Sequence, residues 1–176
     1  MTHTGVRSKS AGFTLIEVLV ALAVLSIGLL GVAALQSKGQ LYTRDAYTLT
    51  QATVQANQII DKIRFNRVFA RDDVVAITGV VPPGKGYVAS SKPGGTVDCI
   101  ASACSAPDLR TFDLNEWYNE LARVLPGGQG TIAATIPVAG VVQYQITVSW
   151  AVPEGLRDDP DDAATAVRQK RWVMQL

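Results

Sequence analysis

Residues 13–35 form an almost unbroken aliphatic block of about 23 residues, interrupted by one charge, Glu17. As a helix, that length is enough to cross the hydrocarbon core of a bilayer. Small residues, Ser26, Gly28, Gly31, Ala33 and Ala34, gather in its second half. Gly28 and Gly31 are three apart and share a face where a second helix can approach closely. The same glycines weaken a helix in water by about 1 kcal/mol each relative to Ala. Beyond Leu35 the pattern turns from apolar all round to amphipathic. Tyr42, Ala46, Leu49, Thr53, Ala56, Ile60 and Ile63 recur at alternating steps of four and three and trace one helix face. Gln51, Gln55, Gln58, Asp61, Lys62 and Arg64 fall mostly off that stripe. The spacing predicts one long helix over residues 13 to about 67, with a bare apolar first half and a second half packed on a folded head. Two helices breaking near Lys38-Gly39 are the alternative.

The remaining residues are patterned as a small mixed domain. Residues 72–81 and 86–91 hold β-branched stretches broken by Pro82-Pro83-Gly84 and Pro93-Gly94-Gly95, which predicts loops and short strands. Residues 107–125 read as a helix that offers Leu109, Phe112, Trp117, Leu121 and Leu125 to a core and ends at Pro126-Gly127-Gly128. Asp113 and Glu116 have capping-box spacing, with Asp108 as the cap of an earlier start. Trp117 suits a core position better than a ligand-stacking one. Residues 130–138 and 141–152 flank Ala139-Gly140, and Tyr144, Ile146, Val148 and Trp150 alternate with Gln145, Thr147 and Ser149, which predicts a hairpin with one buried face. Residues 154–162 are acidic and contain Pro, as in a solvated loop, and residues 168–176 form a last strand. The fold class expected is α+β: a long N-terminal helix, partly a membrane stalk, packed on a small antiparallel-sheet head with one further helix.

Composition sharpens this picture in three places. Net charge is +1, so no global basic field points to nucleic acid. The first twelve residues carry Arg7 and Lys9 and no acid. Basic residues ahead of a membrane helix hold that side in the cytoplasm, which puts the following domain in the periplasm. Cys99 and Cys104 are the chain's two cysteines, and both fall on that far side. In an oxidising compartment such a close pair reads as a disulfide, which would add about 2 kcal/mol by closing a short loop; two buried thiols are the alternative. Two cysteines without a nearby histidine do not supply four tetrahedral zinc ligands. The aspartates around Pro160 raise calcium, although their spacing does not match an EF-hand loop.

The order of the N-terminal features is not that of a secretory signal, in which a small-residue cleavage site follows the apolar stretch. Here Gly12 precedes it. A cut there removes a short hydrophilic leader and leaves the apolar helix on the mature chain; an uncleaved anchor with a short tail is the alternative. Glu17 needs a reason as well, because a carboxylate at the centre of a membrane helix costs about 2.5–3.5 kcal/mol. In the first turns the positive end of the helix dipole lowers that cost. A new amine at Phe13 would provide Glu17 with a counter-charge between packed helices.

The run Gly12-Phe13-Thr14-Leu15-Ile16-Glu17-Val18-Leu19-Val20-Ala21-Leu22 resembles the class III signal of type IV pilins and type II secretion pseudopilins. The resemblance implies cleavage by a prepilin peptidase between Gly12 and Phe13 and N-methylation of Phe13. It also implies an assembly role for Glu17, which would pair with the Phe13 amine of a neighbouring subunit. Further along, Ser26-Ile27-Gly28-Leu29-Leu30-Gly31, Leu35-Gln36 and Ile63-Arg64-Phe65-Asn66-Arg67 are similar to minor pilins of the PilV type (type IV pilus modification proteins). So are Asp113-Leu114-Asn115-Glu116-Trp117, Leu125-Pro126-Gly127-Gly128 and Val148-Ser149-Trp150. Residues 72–98 and the acidic loop carry no motif of that kind.

The division implied is residues 1–12 as leader, 13–36 as transmembrane and assembly helix, 37–69 as its amphipathic continuation and 70–176 as a periplasmic head. The expected function is that of a minor pilin in pilus assembly or priming, serving twitching motility and adhesion. Its partners would be prepilin peptidase, major and other minor pilins, the inner-membrane assembly platform and membrane lipid. Alternatives are a type II secretion minor pseudopilin and an uncleaved membrane-anchored periplasmic binding module. Catalysis is not expected. The one histidine, His3, lies in the leader, so a mature chain has no His-paired nucleophile, and no P-loop spacing occurs. No cofactor and no metal are expected.

Overall fold

A single unbroken helix, α1, runs Leu15–Phe65. The computed structural model describes residues 12–157 and 166–176. By contacts the chain divides into two units, Met1–Gln40 and Leu41–Leu176. In the first, every described residue is exposed. Leu15, Leu30 and Leu35 each show more than two thirds of their surface, and no side chain approaches the Cα of Gly28 or Gly31. This part of α1 is long and apolar enough to cross a membrane. Its one hydroxyl among the small residues is satisfied within the helix, since Ser26 Oγ donates to the Leu22 carbonyl at 2.7 Å.

The second unit is the α+β head. After α1 come a short helix α2 (Arg67–Asp72), strand β1 (Gly79–Val80), helix α3 (Ala106–Val124), strands β2 (Gln129–Val138) and β3 (Val141–Ala151), a 3-10 turn (Glu154–Leu156) and strand β4 (Val167–Gln175). The sheet has the order β1-β2-β3-β4 and is antiparallel throughout. The β2–β3 hairpin turns at Ala139-Gly140, where Gly140 takes φ +83°, a left-handed value that suits glycine. The β2–β3 register shifts between Thr135 and Val138, a stretch that includes Pro137, which has no N–H to donate to a ladder. Cys99 and Cys104 are joined in a disulfide with Cα atoms 5.4 Å apart.

The buried face of α1 is rotated from the expected stripe. Thr48, Ala52, Gln55, Ala56, Ile59, Ile60 and Ile63 are buried, while Tyr42 and Ala46 are exposed. Polar residues occupy the inner face because the helix supplies their partners or the head uses their backbone. Thr48 Oγ1 donates to the Asp45 carbonyl at 2.8 Å, and the Gln55 carbonyl accepts the Trp117 indole N–H at 3.0 Å. The helix also stops earlier than its periodicity suggested, at Phe65. Asn66 turns the chain into α2 (φ −97°, ψ 33°) and buries its amide, which donates to Tyr87 Oη and the Ala106 carbonyl.

Helix α3 starts at a cap other than the two expected. Ser105 is the N-cap, its hydroxyl accepting the Asp108 N–H, and Asp108 sits at the third helical position with its carboxylate 2.6 Å from Ser105 Oγ. The Asp108 N–H, which has no partner inside the helix, is satisfied by the Ser105 hydroxyl, which in turn donates to the Asp108 carboxylate. Asp113 is instead a mid-helix residue, 6% exposed. Leu114, Trp117, Leu121 and Leu125 form the buried side of α3, with Leu109 and Phe112 only partly covered. They pack with Ile59 and Ile63 of α1 and with Ile132, Ala134, Val142, Tyr144, Ile146, Val148, Trp150 and Met174 of the sheet in one core.

Gly130 shows how tight this core is. A Cβ there would lie 2.3 Å from Trp117 Cη2 and 2.8 Å from Leu121 Cδ1. The Trp117 ring has little room to yield, because its N–H is held on α1. Gly130→Ala is therefore expected to lower the unfolding free energy of the head by about 1–3 kcal/mol, the usual cost of overpacking, read as a lower urea midpoint by tryptophan fluorescence. An unchanged midpoint would show that Trp117 is freer than this contact implies.

Candidate functional site

Two places hold ionisable groups in unusual surroundings. The first is inside the head. The Tyr87 hydroxyl donates to Asp113 Oδ2 at 2.7 Å, and Asn66 Nδ2 donates to the same hydroxyl at 3.1 Å. Lys62 Nζ lies 3.5 Å from Asp113 Oδ1 and pairs with Glu116. Tyr144 Oη donates to the Ala70 carbonyl at 2.7 Å and accepts the Tyr87 N–H at 3.2 Å. Burial, followed by the hydrogen bond to Asp113, pushes the Tyr87 phenol far above its ordinary value; burial also pushes Tyr144 up to about 12. Burial raises the Asp113 carboxyl too, against the opposing pull of the Tyr87 hydroxyl and of Lys62. Desolvation wins because Asp113 is nearly sealed while Lys62 is partly in solvent. The arrangement ties α1, α2, α3 and the segment around Tyr87 together. With both phenols protonated near neutral pH, its chemistry is that of a buried polar clasp.

The second place is the start of α1. Residues 12–14 are not helical, and Leu15 is the first helical residue. Thr14 caps the helix: its Oγ1 accepts the Glu17 N–H at 3.4 Å, and its carbonyl accepts the N–H groups of Glu17 (3.1 Å) and Val18 (3.3 Å). Sequence reasoning passed over Thr14, although Thr-x-x-Glu before an apolar run is the spacing of a capping box. The Gly12–Phe13 bond therefore lies outside the helix. Phe13 is 81% exposed, and no atom approaches the position a Cβ would take on Gly12. Nothing in the described structure requires glycine there. Glu17 stands in the first turn, exposed, and its carboxylate meets no cation among the described residues.

The disulfide is remote in sequence from both places and closes the exposed turn that carries Ile100. Asp98 Oδ1 holds that turn by accepting the N–H groups of Ile100 and Ala101. Residues 1–11, with Arg7, Lys9 and His3, lie outside the described residues, as does the aspartate run at 158–162 that raised calcium. Among the described residues no three His, Cys, Asp or Glu side chains converge on a point where a metal could sit.

Residues 7–33 match the family model described as the prokaryotic N-terminal methylation motif. The match begins ahead of Gly12 and extends along α1 past Gly31, covering the capped start, Glu17 and most of the apolar block. No curated protein and no solved structure matches the chain. The motif, joined to a long apolar helix and an α+β head, supports a type IV pilin or pseudopilin.

The buried carboxyl of Asp113 leaves a pH signature. Its pKa is raised on folding, so between the ordinary aspartate value of 3.8 and the higher folded value the native state binds more protons than the unfolded chain, and stability falls as pH rises. Asp113→Asn keeps an acceptor for Tyr87 and does not ionise. From about pH 4 upward, wild type should lose stability relative to this variant until the folded carboxyl is fully ionised. Urea midpoints of the two proteins across that range are the check, and a difference that runs the other way would show that Lys62 dominates the site.

Proposed function

We propose that this chain is a minor type IV pilin of the PilV type, cut between Gly12 and Phe13 and assembled through Glu17. The observation that carries the proposal is the junction itself: an exposed, non-helical Gly12–Phe13 bond directly before a capped helix whose apolar block holds one acid, Glu17, with no partner among the described residues. Among the described residues nothing approaches Gly12, which fits a role for it in recognition by the prepilin peptidase. Cleavage hydrolyses the Gly12–Phe13 amide, leaving a carboxylate on the leader and an amine on Phe13, which is then methylated. That amine stays cationic and becomes the partner that Glu17 lacks, supplied by an adjacent subunit. Within a bundle of helices the pair is worth more than in water, because the dielectric is low and both charges are withdrawn from solvent.

The subunit would reside in the inner membrane with Arg7 and Lys9 on the cytoplasmic side and the head in the periplasm, consistent with the disulfide between Cys99 and Cys104. The assembly platform then lifts it from lipid into the filament. The helix accepts that move because its backbone hydrogen bonds are internal and its exposed surface is apolar in either setting. The role is structural, in priming or capping a filament made of other pilins and serving adhesion and twitching, and it uses no cofactor.

Mass spectrometry of the protein purified from its native membrane is expected to find N-methylated Phe13 as the first residue; retention of residues 1–12 would instead show an uncleaved anchor. Glu17→Ala should be processed normally yet enter filaments poorly, and normal incorporation would remove the charge-pairing step. In a deletion strain, loss of twitching with secretion intact is expected, whereas the converse would assign the chain to a type II secretion pseudopilus.

A further inference from the structure

Among the described residues the outer edge of β4 is unpaired. The bonded pairs Val142–Leu176 and Val152–Ala166 fix which residues of β4 point their backbone inward. Arg168, Lys170, Trp172 and Met174 exchange hydrogen bonds with β3, so Val167, Gln169, Arg171, Val173 and Gln175 direct N–H and C=O groups away from it. The sheet ends there, and no described residue bonds to those groups. An unpaired run of this length is the template that strand addition uses.

The described residues along this edge are mostly basic, and one of the cations, Arg168, is already paired with Asp45. Strand β4 carries Arg168, Lys170 and Arg171 and no acid. At its C-terminal end lies an open groove of about 640 Å³ lined by Arg64, Arg67, Val68, Arg71, Gln175 and Leu176. Arg64 and Arg71 are each paired with one exposed aspartate, whereas Arg67 has no acidic partner among the described residues. Val68 and Val173 add apolar surface, each more than half exposed. Symmetric antiparallel pairing with the β4 of a second copy would set Arg171 against Arg171, and like charges directly opposite are destabilising.

We propose that the β4 edge and the adjoining arginine groove bind an extended acidic segment of a partner protein, added to the sheet as a fifth strand. Main-chain hydrogen bonds to Gln169, Arg171, Val173 and Gln175 supply register-dependent affinity. Carboxylates two residues apart on the incoming strand meet Arg171 and the cluster of Arg64, Arg67 and Arg71, which selects acidic over basic sequences. The surface belongs to the head alone, so it operates whether or not the N-terminus is processed.

The test uses the full chain in detergent micelles and two labelled peptides, one alternating Val with Glu and the other Val with Lys, followed by fluorescence anisotropy. The acidic peptide should bind saturably and the basic one should not. Arg67→Glu should weaken binding by about tenfold or more, as expected for reversing a charge-assisted contact. Arg171→Pro removes an outward N–H while leaving the β3 ladder intact, the position where an edge strand tolerates proline, and it should abolish binding. Should that variant not fold, hydrogen exchange on wild type decides: the amides of Gln169, Arg171 and Val173 should become protected when the acidic peptide is added. Equal binding of both peptides, or binding without protection of these amides, overturns the proposal. So does displacement of the acidic peptide by soluble short-chain phosphatidylglycerol without edge protection, which would make the groove an anionic headgroup site.

Discussion

The architecture of the head rests on one hydrogen bond and the close approach that allows it. Ala52 and Ala56 keep the inner face of α1 shallow, so Trp117 of α3 can lay its indole against the helix and donate to the Gln55 carbonyl. A helix carbonyl keeps a second lone pair after its intrahelical bond, and here that lone pair is used. Everything on the sheet side follows from where the ring then lies. It fills the space that a side chain on residue 130 would need, so glycine at the second position of β2 lets the strand come in against the ring. Tyr118 secures the same point by donating to the Gly130 carbonyl. β3 pairs with β2 and β4 with β3, each in a register anchored by its predecessor. The Asn66–Tyr87–Asp113 clasp then fixes the far end of the same strip of α1.

α1 meets two kinds of requirement along its length. Over residues 15–35 its side chains are mostly aliphatic and uncovered, and its polar backbone is satisfied internally, which is what lipid or a helix bundle demands. From Thr48 to Ile63 it needs one buried face, and it builds that face from small, branched and even polar residues. Gln55 is buried there with its backbone carbonyl accepting the Trp117 indole N–H, while its side-chain Oε1 finds no hydrogen-bond partner among the described residues.

Much of this was legible in the sequence, because the strongest patterns carried the strongest physics. The alternation of Tyr144, Ile146, Val148 and Trp150 specifies a strand with one buried face, and the Ala139-Gly140 turn pairs it with its neighbour. The unbroken aliphatic run ahead of Leu35 specifies the helix. The inner face of α1 was harder to read, since Thr48 and Gln55 look like surface residues by type, although Thr48 bonds within its own helix and the Gln55 carbonyl meets Trp117. The cap of α3 was misassigned because Asp108 and Asp113 both stand at sensible spacings, while Ser105 wins through a hydroxyl that bonds only locally. The Tyr87–Asp113 clasp could not be foreseen: residues 26 apart meet only after the core forms. At the N-terminus Gly12, Phe13 and Glu17 stood out by type and spacing, but Thr14, which shapes their surroundings, did not.

That cap has a mechanical meaning. Because the helix begins at Leu15, with the Glu17 and Val18 N–H groups bonded to Thr14, a cut between Gly12 and Phe13 leaves all of α1 and its cap on the mature chain. Proteolytic maturation at this bond would alter the charge at the end of the rod and leave its shape as it was.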